Sequence, residues 1–121
     1  MIRFMHIASF YPAYLEKFYQ DRPGLAEQSY ESQYRTLMDD CFAWVDFWKL
    51  NLEERGGFTA AESVLNCEAL QKTWARENGA GYREESWQLD IMHAQIEAFQ
   101  PDVLFPHDIL FITPDERRGF K

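Results

Sequence analysis

The order of apolar and helical segments predicts an α/β domain, a Rossmann-like three-layer arrangement of a parallel sheet with long helices. Three observations carry that expectation. Short apolar runs recur at residues 2–9, 58–65 and 103–105. The stretches between them carry helical periodicity, so strands alternate with helices and the crossovers should be right-handed. A length of 121 residues suits one domain with one core.

The first strand, Ile2–Ser9, mixes apolar residues with Arg3 and His6 and runs into Phe10-Tyr11-Pro12, where proline resists continuing a ladder. Pro12–Tyr19 reads as a short helix with Pro in its first turn, and Asp21-Arg22-Pro23-Gly24 as a turn. Ser29 is the expected N-cap of a long helix, because Tyr30, Tyr34, Leu37, Met38, Cys41, Val45, Trp48 and Leu52 repeat at helical steps. Gly56-Gly57 should close it. At ~1.5 Å per residue a helix over Tyr30–Arg55 would span ~39 Å. Phe42, Trp44 and Phe47 widen its apolar stripe.

Phe58–Leu65 predicts the second strand, weakened by Ala60, Ala61 and Glu62. Asn66 is the expected N-cap of a helix over Cys67–Asn78, which Gly79 closes. Ala80–Glu85 is a polar loop, and Ser86 caps a helix through Phe99. Pro101-Asp102 ends that helix, and Val103-Leu104-Phe105 forms the third strand. Thr113-Pro114-Asp115-Glu116 then has the marks of a helix start, five residues before the end. A helix opened and not continued, with a three-stranded sheet whose edges are uncovered, predicts a piece of a larger protein.

Bulk chemistry excludes some partners. The formal net charge is −8, and Arg117-Arg118 is the one basic cluster. Nucleic acid and anionic bilayers need concentrated cations, so neither is expected as a partner. The amino-terminal stretch has one positive residue, Arg3, and no long apolar run, so it reads as neither signal peptide nor membrane span. Cytoplasm is the default expectation, with Cys41 and Cys67 as buried, reduced thiols.

Several segments together resemble the N-terminal region of a family of bacterial glycosyltransferases of the two-Rossmann-domain (GT-B) type. They are Ser9–Tyr19, Ser29–Gln33, the aromatic stretch Asp39–Trp48, Asn66–Ala75 and Gln95–Leu104, in that order, within residues 1–108. The resemblance implies a parent enzyme that moves a sugar from a nucleotide-activated donor to an acceptor. The N-terminal domain of that architecture mainly holds the acceptor, so this chain would lack donor affinity and turnover alone. No cofactor of its own is expected.

Candidate site residues follow from position. Ligands of open parallel sheets gather at the carboxyl ends of strands, which places His107 and Asp108 after the third strand and Ser9, Phe10 and Tyr11 after the first. Glycosyl transfer with inversion needs a base for the acceptor hydroxyl, a role that suits His107 or Asp108. Ser9, Phe10 and Tyr11 are the expected substrate-binding loop, although Ser-Phe-Tyr-Pro lacks the glycines of a dinucleotide fingerprint. Tyr11, Tyr14, Phe18 and Tyr19 read as packing before stacking on sugar. His6, inside strand one, is expected as a hydrogen-bonded interior or edge histidine. Asp90, His93 and Glu97 share a helix face and read as solvated, so no metal site is expected. Ser63 lacks a hydrolase elbow. The alternative to the enzyme domain is a self-sufficient α/β binding or dimerisation module without catalysis, with the aromatic helix Phe42–Trp48 as its surface.

Overall fold

A computed structural model describes residues 1–40 and 47–106. Strand β1 (Ile2–Ala8) is followed by helices α1 (Pro12–Gln20), α2 (Tyr30–Asp39) and α3 (Phe47–Arg55). Strand β2 (Phe58–Val64), helices α4 (Glu68–Asn78) and α5 (Trp87–Phe99), and strand β3 (Val103–Pro106) complete the order. The strands form one parallel sheet in the order β2-β1-β3. The fold is thus α/β with an open, all-parallel sheet flanked by helices.

Register follows the two-residue side-chain period. Ile2 pairs with Phe58 and Ala8 with Val64, while Phe4 pairs with Val103 and Ile7 with Pro106. Phe4, His6, Glu62, Val64 and Phe105 therefore share one face, and Met5, Ile7, Ala61, Ser63 and Leu104 share the other. On the first face Val64 joins a core of Phe10, Leu15, Phe18, Leu25, Leu37, Met38, Cys67 and Leu70. On the second, Met5, Ile7 and Leu65 pack on Met92 of α5, flanked by Leu89, Ile96 and Phe99. The first crossover thus covers one face and α5 of the second covers the other, while Cys67 and Leu70 reach into the first core.

The helix predicted over Tyr30–Arg55 is corrected. The structure has two helices, and α2 ends at Asp39 with Asp40 as its C-cap. Two consecutive acids at the negative end of a helix dipole oppose extension. Asp40 instead takes a hydrogen bond from the Tyr14 hydroxyl and an ion pair from Arg22 at 2.9 Å. Ser29 caps α2 as expected, accepting from the Ser32 amide at 3.2 Å. Gly56 and Gly57 have φ of +84° and +81°, the left-handed turn that reverses the chain into β2.

Two other caps differ from expectation. Asn66 does not cap α4; Cys67 holds the N-cap position and makes no side-chain cap bond. The Asn66 amide has a better use at the end of β1, described below. Ser86 sits at the N-cap of α5, yet its hydroxyl donates to Asp90 at 2.8 Å rather than accepting a backbone amide. Cys41, the aromatic surface Phe42–Trp48 (except for the helical backbone from Phe47 onward) and the helix start at Thr113 lie outside the described residues.

Candidate functional site

The sheet order creates a switch point. From β1 the chain moves to one side to build β2, then returns across β1 to build β3 on the other. The strand order reverses between β1 and β3, and the crevice outside the carboxyl ends at such a point is where open α/β sheets bind ligands. Ile7 pairs with Pro106 there, so the loop Ser9–Tyr11 and the end of β3 are brought together. His107 and Asp108, the next two residues of the chain, lie outside the described residues.

The three loop residues divide in role. Tyr11 is 74% exposed, and Phe10 is buried in the first core. Ser9 lies between them, half-buried. Asn66 fixes this loop: its Oδ1 accepts the Phe10 amide at 3.0 Å and its Nδ2 donates to the Phe10 carbonyl at 2.7 Å. A primary amide carries the donor and acceptor of a peptide group, so Asn66 extends the β1–β2 ladder past its last strand residue, where Leu65 N donates to Ala8 O at 2.8 Å. The Phe10 backbone is thereby occupied, and of the three loop residues Tyr11 is the one with an exposed side chain.

Behind the crevice lies a buried ionisable pair. His6 Nδ1 and Glu62 Oε2 are 2.6 Å apart, with side chains 0% and 1% exposed. They are register partners on adjacent strands, so the sheet itself sets their distance. Glu62 Oε1 accepts the Lys49 amide at 3.1 Å, and the His6 ring stacks on Phe105 with centroids 5.2 Å apart. Lys49 Nζ in turn donates to the Ala60 carbonyl at 2.9 Å and pairs with Glu53, whose Oε2 accepts the Ala60 amide at 3.1 Å. The Lys49 hydrogen bond is the first cause that holds the Glu53 carboxyl below its ordinary range. These bonds seat α3 on β2 and join β2, β1 and β3 through one polar line. With side chains almost entirely out of solvent, the pair positions the sheet.

The sequence allowed His6 an interior or an edge place, and the central position of β1 makes it interior; its partner was passed over, Glu62 being read only as a weakness in the strand. A signal existed: a carboxylate within a strand of small apolar residues must be matched if the strand is buried.

Two further networks hold the scaffold. Ser63 donates to Gln95 Oε1 at 2.7 Å, while Gln71 and Gln95 exchange amide hydrogen bonds at 3.0 Å in both directions. Gln33, fully buried, donates to Thr73 at 2.9 Å and accepts from the Tyr19 hydroxyl at 2.9 Å. Burial pushes the Tyr19 phenol and the Cys67 thiol up, so both stay protonated and neutral, 3.6 Å apart. Burial and the Asp40 carboxylate do the same to Tyr14.

Among the described residues no group of three or more His, Cys, Asp or Glu is placed to hold a metal ion. Asp90 is committed to Arg83 and Ser86, and His93 and Glu97 are exposed. No described helix is long and apolar enough to cross a membrane. Comparison with family models, curated proteins and solved structures finds no match.

Proposed function

We propose that this chain is the acceptor-side domain of a glycosyltransferase that takes its sugar from a nucleotide-activated donor, working in the cytoplasm. The observation that carries the reading is the all-parallel β2-β1-β3 order, with its switch point beside the Ser9–Tyr11 loop. The segment resemblance supplies the chemistry. Asn66 holds the Phe10 backbone, so the loop keeps one shape beside the end of β3. In this reading Tyr11 and Ser9 contact the acceptor, and His107 or Asp108 takes the proton of its reacting hydroxyl. The nucleotide belongs to a second domain.

A glycan array probed with the full chain tests this. Binding of a defined glycan class should weaken about tenfold in Tyr11→Ala and His107→Ala, as expected when a contact worth ~1.4 kcal/mol is lost. Nucleotide sugars should not bind. Tight binding of a nucleotide sugar with no glycan retained would reject the acceptor-side assignment.

A second reading, a self-associating module without catalysis, is favoured by one observation. Ile2 and Val103 remain 45% and 44% exposed on the face that carries half-buried Phe4, Phe58 and Phe105. Light scattering across a concentration series separates the two: a stable dimer supports the module, a monomer the acceptor domain.

A further inference from the structure

Far from the switch point, toward the amino ends of the strands, a pocket of about 250 Å³ opens on the face covered by α5. Met5 and Ala61 line it from the sheet, and Trp74 and Ala98 line it from α4 and α5. Tyr30, at the start of α2, contributes a second aromatic ring. Ala98 and Asn78 are exposed residues of its lining, so the pocket is open to solvent.

Its polar groups narrow what it can hold. The Tyr30 hydroxyl and the Trp74 indole N–H make no hydrogen bond among the described residues. No fully buried side-chain nitrogen or oxygen among those residues lacks a partner, so both donors reach accessible space. The amides that could read the edge of a nucleobase are held wholly or in part by the protein. Gln95 is locked into Ser63 and Gln71, and Asn78 Nδ2 donates to the Trp74 carbonyl at 2.9 Å.

An anion is disfavoured as well. The Arg3 guanidinium is turned to the Phe99 carbonyl and lies 4.3 Å from that ring's centroid. Arg3 and Glu62 are the charged residues of the lining, Glu62 held by His6, and two more carboxylates stand on lining amides: Glu77 accepts the Tyr30 amide at 2.8 Å, and Asp102 accepts the Arg3 amide at 2.9 Å. What remains is a neutral ligand with an apolar ring face for the aromatics and hydroxyls that both donate and accept. At ~30 Å³ per water the space equals about eight waters, enough for one such ring.

We infer that the pocket beside Trp74 and Tyr30 binds a single neutral, polyhydroxylated ring, a free monosaccharide or the terminal sugar of a glycan. This site is distinct from the crevice at the carboxyl ends of β1 and β3, and neither assignment depends on the other.

Titration of the full chain with methyl glycosides of glucose, galactose and mannose, followed at the tryptophan indole resonances, tests the inference. The Trp74 signal, identified by its loss in Trp74→Phe, should shift saturably while that of Trp87 stays fixed. A trisaccharide arm separates the sources: tighter binding than the glycoside assigns a glycan end, equal binding a free sugar, and either supports the site. Tyr30→Phe, which keeps the ring, should weaken binding about three- to tenfold, one hydrogen bond's worth. Ala98→Phe, at an exposed position that fills the pocket, should weaken it tenfold or more with the unfolding midpoint unchanged. No saturable shift up to roughly 0.1 M, a limit near −1.4 kcal/mol, overturns the inference. So does an unchanged affinity in Ala98→Phe, or tighter binding of benzoate or adenosine monophosphate than of any glycoside.

Discussion

Single side chains decide how much of the scaffold survives substitution. Glu62→Ala would leave His6 and the Lys49 amide without their carboxylate inside the protein. Breaking a buried pair from one side costs about 3–5 kcal/mol, so Glu62→Ala should unfold at markedly lower denaturant than Glu53→Ala, whose ion pair with Lys49 is partly exposed. Asp90 gives a sharper test of charge. Its hydrogen bonds with Arg83, then with Ser86, hold its carboxyl at about 2, below the ordinary aspartate range. A depressed carboxylate stabilises the fold above the unfolded value and loses that contribution as pH falls toward the folded one. Acid unfolding of Asp90→Asn should therefore show a shallower loss of stability between about pH 4 and pH 2 than the parent. Cys67 behaves in the opposite sense. Its raised thiol, 1% exposed, should resist alkylation by iodoacetamide at pH 8 until denaturant is added.

At the scale of elements, strands and most helices are legible because each writes its own local pattern. The three strand runs, the Ser29 cap, the Gly79 stop and the α5 segment all rest on neighbours within a few positions. What the sequence hid depends on partners far along the chain. Asn66 looks like a cap for α4 because it precedes that helix; its real partner, Phe10, is 56 positions away. The break after Asp39 was masked by continuing helical periodicity, and Tyr14 and Arg22, which hold Asp40, come from an earlier element. The candidate site was legible only in outline: strand ends can be located from sequence, whereas the β2-β1-β3 order that makes them a switch point cannot. The glutamine network was equally silent, since Gln71 and Gln95 look like ordinary helix-surface residues. Gln95→Leu should cost about 1–3 kcal/mol by stranding Ser63 and Gln71, and adding Gln71→Leu should cost less than the sum of the single changes. A double-mutant cycle by chemical denaturation measures that coupling.

For the whole molecule, the placement of β1 at the centre of the sheet has a consequence in time. The strand that needs a partner on each side leaves the ribosome before either of them. Its contacts with β2 lie 56 positions downstream, and its contacts with the start of β3 lie 99 downstream. At ~5–20 residues per second the first partner follows by about 3–11 s and the second by about 5–20 s. Closing the longer loop costs only about 0.5 kcal/mol more, so entropy hardly dictates which edge pairs first. The order of synthesis does. The β1–β2 unit with α1 to α3 should assemble as an early intermediate, still showing the bare β3-facing edge of β1 to any other nascent chain. Polysomes translating this message are where misassembly between neighbouring copies should concentrate, and slowing translation just before β3 should lengthen that exposure.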